Sequence, residues 1–494
     1  MKLNYFKLSF AQMIFHLLFT KKIGISCFLL CLSIPLFAQK LSLSPKEDFN
    51  FRVDDFSVIG AYQQLTAVYR KHNDLPEIIF YTKDFKKEKT VALDFLPERA
   101  TDIRLLSSAN GILLVYLVKK DKRKNLMLAK LNADFTFTEP QLIDSNPVAN
   151  FQDDIAYTME VSEDKSKFLF YTQYIVESNW VLKSIVVNEA LQIQYQVNQL
   201  LDNIDFFISA KACINNNAEI FILATDRNKI RAGVEELKIL ACSNQKEFSI
   251  NNITLNKHTL SDLQMIADNT NHLVIACGYY ADARYSAPHG IFVTQFDITQ
   301  QTPTMSHFIP LAMQVTSSKT DLRDMKIRQI SLRKDGGIEF CAEKTYQTTR
   351  TISSINPLMS SSMVPMAENS RTVQEFNYDE VVIFNVKPEG AMAWSQTFLK
   401  AQMTSDDEGK FSSFAMLQHP LGKVYLFNDF SSKVTRLMAC YISAKGELNM
   451  KEIQTSDEVD DWNIMNRLGI QVSAGEIVIP CITKNYLCFL KISF

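Results

Sequence analysis

The feature that most constrains this chain is a rhythm of four apolar runs that returns along its length. From Asp102, "DIRLLSSA" alternates and ends at Asn110-Gly111, a strong two-residue hairpin signal. "ILLVYLVKK" follows, then the charged turn "DKRK", then "NLMLAKLNA" and a weaker run in "FTFTEPQLID". The middle runs are the most apolar, as expected of strands covered on both faces. The same order returns from Asp55, Asp154, Asp205, Asp262 and Asp324, from "FSSFAMLQ" after Asp406-Asp407, and from Asp461. In the first unit Gln63-Gln64 is the poorest turn of the set. In the last, "WNIMNRLGIQV" reads as one first strand, followed by "EIVIPCIT" and "YLCFLKISF".

A period of roughly 50–60 residues specifies an array, because one four-stranded unit cannot bury both of its faces and neighbours must stack. The expected fold is all-β: a β-propeller of four-stranded blades, about eight in number, with seven as the alternative if the first unit is irregular. The last unit has no fourth run after "YLCFLKISF". Residues 40–52, which begin "KLSLSPKEDFNF", are the candidate to supply it and close the ring.

The chain has 494 residues and a formal net charge of −2, from 52 basic and 54 acidic side chains. A propeller holds this length in one domain, residues 39–494, and the missing basic excess argues against a nucleic-acid partner. Lys21-Lys22, the apolar run "IGISCFLLCLSIPLF" and Ala38-Gln39 read as a signal peptide, residues 1–38, cut after Ala38. The apolar piece before Lys21 fits a long leader or a start site placed too early. The run is short for a membrane span, and no later segment reads as one. Cys31 follows Leu30, which is not a lipoprotein context. The expected location is the periplasm, the outer cell surface or the medium. Cys277, Cys341 and Cys481 fall at matching places on second strands, and Cys242 and Cys440 on third strands, which points to core packing. Cys481 and Cys488 face each other if Lys484-Asn485 is a hairpin turn, so a bridge is geometrically allowed there but not required.

No G-x-S-x-G, H-E-x-x-H, P-loop or C-x-x-C occurs, and the seven His share no metal spacing, so no cofactor or metal centre is expected. An enzyme stays open, because a propeller gathers site residues from several blades. The recurring carboxylates are the first lead: Asp55, Asp102, Asp154, Asp205, Asp262, Asp324 and Asp461 each precede an inferred first strand. A ring of them on the channel rim would attract a cation, calcium included. The favoured alternative is that each accepts hydrogen bonds within its own turn. The second lead is the Ser-rich insertion of residues 347–378, between strands two and three of its blade, with Met359, Met363 and Met366. It reads as a structureless apolar flap on the same rim, with Cu(I) binding by the thioethers as the lesser reading. Asp457, Glu458, Asp460 and Asp461 beside Trp462 read as a solvated loop.

"YDEVVIFNVKPEGAMAWSQTFLKAQ", followed by "FSSFAML" and "KVYLFND", resembles a group of uncharacterised exported propeller-like proteins of Bacteroidetes-type bacteria. The likeness covers mainly Asp335 to Asp429, and the leader ending "FAQ" is similar to theirs. It implies that Glu343, Lys400, Gln402, Asn428 and Asp429 are motif positions, without implying a role. Gly390-Ala391-Met392-Ala393-Trp394 resembles, once, the tryptophan motif that quinone-dependent propeller dehydrogenases repeat in nearly every blade. A single copy argues against a quinoprotein. The expected function is a ligand- or protein-binding scaffold module of the cell envelope, with an envelope protein or a glycan as partner. The alternative is a propeller enzyme acting on carbohydrate through carboxylates from several blades.

Overall fold

The computed structural model describes residues 39–147, 156–176, 179–201, 206–226, 233–243, 245–311, 322–354, 369–431, 435–453 and 462–494. These residues form eight antiparallel sheets and no α-helix. Sheets 1 to 7 span residues 55–92, 100–147, 158–201, 206–253, 259–310, 325–405 and 414–452. Each has four strands paired in chain order. First strands touch between most neighbouring sheets, so the first strand of each blade is the innermost.

Sheet 8 is built from both ends of the described chain. Glu476–Thr483 and Tyr486–Ser493 supply its middle, and Lys40–Leu43 is its outer strand. Lys40 lies opposite Ser493 and Leu43 opposite Leu490. The expected single inner strand is broken into Asn463–Ile464 and Ile470–Ser473 by a 3-10 turn, Asn466–Leu468. Both pieces pair with the same neighbour. The break follows from Asn466, a fully buried amide whose partner lies in sheet 7, so the backbone leaves the ladder to deliver it.

The core consists of the interfaces between sheets. Val68, Ile79 and Tyr81 of sheet 1 pack on Val478 and Phe489 of sheet 8. Leu426 and Ala439 of sheet 7 pack on Ile479 and Leu490 of sheet 8. Each other neighbouring pair shares such a cluster, so apolar packing runs around the whole ring. Gln63-Gln64 turns with φ of 48° and 66°, the left-handed pair a two-residue hairpin needs, without Gly or Asn. Asn110-Gly111 differs from its reading: Gly111 is the first residue of the second strand. A Cβ on Gly111 would lie 3.0 Å from the Leu131 carbonyl, so glycine serves close strand approach there. Cys481 and Cys488 are direct cross-strand partners, and no disulfide joins them.

Ring closure rests on four residues of outer strand whose Leu41 and Leu43 pack on the sheet 7–sheet 8 core. Leu41→Ala and Leu43→Ala are each expected to cost about 1–2 kcal/mol, the scale for a part-buried leucine. Deleting residues 39–43 should cost more than both together, because the edge of Tyr486–Ser493 loses its ladder. Urea unfolding midpoints check this; an unchanged midpoint in the deletion would show that the ring closes without this strand.

Candidate ligand-binding face

Strand direction alternates within each sheet, so the connections divide between two faces. Turns between strands one and two, and between three and four, lie on the lower face. Connections between strands two and three, and from one blade to the next, lie on the upper face. On the lower face the turns of sheets 2 to 5 interlock. Ala109 N–H donates to Lys165 O at 3.3 Å, and Asp164 N–H to Asn216 Oδ1 at 3.1 Å. Asn216 N–H donates to Asn269 Oδ1 at 2.8 Å, and Asn269 Nδ2 to Glu163 at 2.8 Å.

The upper face carries a long hairpin of sheet 6, Ile338–Ser354 and Asn369–Val386. The flap expected at residues 347–378 is therefore largely strand, paired from Thr345–Tyr378 out to Ser354–Asn369. Threonines 345, 348, 349 and 351 with Tyr346 and Ile352 give this stretch the β-branched and aromatic content of a strand. Met359, Met363 and Met366 lie outside the described residues. The outer strand, Met392–Ser405, follows the hairpin upward, with Glu375 opposite Ser405.

Behind the hairpin root, four of the five motif positions meet. Lys400 Nζ lies 2.6 Å from Glu343 Oε1, and both side chains are completely buried. Glu343 Oε2 accepts from Arg328 Nε at 2.8 Å and from Ser413 Oγ at 2.7 Å. Lys400 Nζ also donates to Gln402 Oε1 at 2.8 Å, and Gln402 Nε2 donates to Asn428 O at 2.7 Å. Asn428 Nδ2 donates to Ile464 O at 2.8 Å and its Oδ1 accepts from Asn466 Nδ2 at 2.9 Å. The network thus runs from the inner strand of sheet 6 across sheet 7 into sheet 8. It contains two cations and one carboxylate, and burial pulls the Lys400 pKa down while Glu343 opposes the shift. Asp429 stands apart: it accepts its own turn's Ser431 N–H at 2.9 Å and pairs with Arg436. Trp394, from the single tryptophan motif, donates to Ala444 O at 3.3 Å, a contact between sheets 6 and 7.

Tyr378 joins this network to the surface. Its ring centroid is 5.5 Å from Lys400 Nζ and 5.8 Å from the Arg328 guanidinium carbon. Its hydroxyl accepts from Arg467 of sheet 8 at 3.3 Å. Gly409, at φ 70°, packs so tightly on it that a Cβ would sit 2.5 Å from that hydroxyl. Above it a cavity of about 340 Å³ is lined by Thr345, Tyr346, Gln347, Phe376, Asn377 and Tyr378. Phe376 and Tyr378 are buried, whereas Tyr346 is exposed. Lys344 Nζ lies 5.8 Å from the Tyr346 ring centroid and 3.8 Å from Asp379. Asp406 accepts Gln374 N–H at 2.9 Å and Asp407 accepts Thr404 Oγ1 at 2.7 Å, which fastens the loop after the outer strand to the hairpin.

The four recurring aspartates among the described residues do not share one position. Asp154, Asp205 and Asp461 lie outside the described residues. Asp55 opens its strand, exposed, and accepts the adjacent Phe56 N–H at 2.9 Å. Asp324 ends a 3-10 turn. Asp102 and Asp262 occupy bulges inside the innermost strands of sheets 2 and 5, at φ 51° and 50°. Aspartate tolerates this left-handed geometry better than most residues, which accounts for the residue type there. Asp102 pairs with Arg104 at 2.7 Å, and Asp262 accepts Ile327 N–H of the next blade. Among the described residues no group of three His, Cys, Asp or Glu is placed to hold a metal. Sequence reasoning missed Arg328, Ser413, Asn466, Tyr378 and Glu160. Glu160 lies on the innermost strand of sheet 3, where burial lifts its carboxyl to about 7, opposed by Lys211 of sheet 4. Burial also raises Asp262, opposed by the Ile327 N–H and by Lys326, Lys211 and Arg328.

No known protein family matches the chain, and no curated protein is similar to it. Solved structures with a similar course include prolyl oligopeptidase B from Galerina marginata, at 9% identity and TM-score 0.41 over 87% of this chain and 54% of that one. Dihydro-heme d1 dehydrogenase is 12% identical, with TM-score 0.38 over 86% and 68%. A polysaccharide lyase is 8% identical, with TM-score 0.35 over 79% and 89%. The chain spans about half the length of the peptidase. Likeness at this level assigns no activity.

Two expectations follow. Glu343→Gln strands Lys400 and Arg328 without their carboxylate and is expected to cost about 3–5 kcal/mol, whereas Glu343→Gln with Lys400→Met should recover part of that loss. Urea unfolding of both variants measures it. Glu160 holds a proton in the folded chain from about 4.5, its ordinary value, to about 7. The folded state then binds more protons than the unfolded one, so this carboxyl's contribution is complete below that window and is lost as pH rises through it. Glu160→Gln should flatten the fall in melting temperature between those pH values; a parallel fall in both proteins would contradict the shift.

Proposed function

We propose that this chain is an exported binding module that takes a glycan on the upper face, at the root of the sheet 6 hairpin. The observation that carries the reading is the set of residues around the 340 Å³ cavity: the aromatic residues Tyr346, Phe376 and Tyr378 with a threonine and two amides, Gln347 and Asn377, Tyr346 and Asn377 standing on the other face of the hairpin from Phe376 and Tyr378. Aromatic faces pack against the apolar face of a sugar ring, and neutral donors and acceptors satisfy its hydroxyls. Support beneath the site is rigid, because Tyr378 is held by Arg467, by Gly409 and by two cations over its ring. Export rests on the leader expected at residues 1–38. Protein recovered from the exported fraction and shown by mass spectrometry to begin at Gln39 is the material for the test. It is titrated with envelope-derived oligosaccharides, and Tyr346→Ala is expected to weaken binding about tenfold, the scale of one lost aromatic contact. Tyr346 is exposed, so the melting temperature should hold. Equal affinity in parent and variant would remove the site from this face.

One observation favours the second reading, an enzyme acting on carbohydrate. Glu160 and Asp262 are two carboxyls on innermost strands, both with raised pKa, and a carboxyl that keeps its proton near neutrality is suited to donate it to a leaving group. Release of new reducing ends by the parent and not by Glu160→Gln distinguishes this from binding alone.

A further inference from the structure

A second cavity, of about 290 Å³, lies on the lower face at the seam of sheets 7 and 8. Val424, Tyr441 and Phe494 wall it on the side of sheet 8, Leu421 lies at its rim, and Ile442 and Leu448, which pair with each other, border it from the sheet 6 side of the same strands. Leu421 and Leu448 remain partly open to solvent beside it. Three charged side chains at its edge decide what it accepts. Lys423 is already neutralised, 2.6 Å from Glu339 with both side chains largely buried. Glu447 is drawn into its own turn, where its backbone N–H donates to Ser443 Oγ at 3.1 Å and its carboxylate accepts from the same hydroxyl at 3.3 Å. Lys451 is different. Its ammonium lies 5.4 Å from the centre of the Tyr441 ring on the cavity wall, with no carboxylate within ion-pairing distance among the described residues.

We propose that this cavity binds a small amphipathic carboxylate, with its apolar body in the wedge between the two sheets and its anionic head on Lys451. Burial of apolar surface against Leu421, Val424, Tyr441 and Phe494 supplies the attraction, and the uncommitted cation at the mouth supplies the sign. The cavity is of the size that holds a small ligand. It lies on the opposite face from the hairpin, so it is independent of glycan binding.

The test uses the full chain and three probes of equal length: decanoate, decan-1-ol and decylamine, each titrated by calorimetry. Decanoate is expected to saturate a single site and to bind at least about fivefold tighter than decylamine, the scale of one partly screened charge contact. Lys451→Glu should reverse the order of the two charged probes. Leu448→Trp, which places an indole at the cavity entrance, should weaken all three. Both substituted residues are at the surface, and melting curves confirm that the variants fold. Should either variant fail to fold, the comparison of decanoate with decylamine on the parent still decides the matter. Absence of saturable decanoate binding, equal binding of decylamine, or full binding by Leu448→Trp would overturn the proposal.

Discussion

Everything in this molecule depends on sheets that are apolar on both faces and therefore cannot exist alone. Ile479 and Leu490 of sheet 8 face sheet 7, while Val478 and Phe489 of the same two strands face sheet 1. Alternation along a strand sends successive residues to opposite sides, so a strand with no polar alternation demands a partner on each side. A row of such sheets ends only by closing on itself. The strand Lys40–Leu43 completes the sheet at that seam through a pairing between segments at opposite ends of the described chain.

Against that apolar ring, the Glu343–Lys400 network is an exception that needs a reason. A fully buried ion pair is weak evidence for stability, because desolvation offsets most of the attraction. Here it does something an apolar pair cannot: its hydrogen bonds have direction, and they fix sheets 6, 7 and 8 relative to one another through Gln402, Asn428 and Asn466. The result is felt at the surface through Tyr378, which is shared between the network and the cavity at the hairpin root. This buried polar network thus lies directly beneath the best candidate for a recognition surface.

The two faces differ for a topological reason. Short turns of sheets 2 to 5 bind one another on the lower face, using side chains such as Asn216 and Asn269 that sit at equivalent places in each blade. One of the upper connections, in contrast, is a hairpin whose strands are 17 and 18 residues long. The 290 Å³ cavity shows that the lower face is not uniformly closed: it opens at the seam of sheets 7 and 8.

Much of the fold was legible because its cause is local. Apolar runs of strand length, separated by turn residues at a steady period, already imply four-stranded units, their order and their need to stack. The spare strand after Gln39 was legible by subtraction, since the last unit was one run short. The motif positions Glu343, Lys400, Gln402 and Asn428 were visible as residues but not as a site. Their meeting depends on the depth of burial and the rotation of three blades, and Arg328, Ser413 and Asn466, which complete the network, carry no signal at all. Of the recurring aspartates, four are described, and their places differ: Asp55 opens a strand, Asp324 ends a 3-10 turn, and Asp102 and Asp262 fill bulges. The sequence by itself determined the class, the repeat and the closing strand, because these follow from which residues must leave water. Tertiary structure alone decided which polar groups meet, because that is set by distances between segments far apart in the chain.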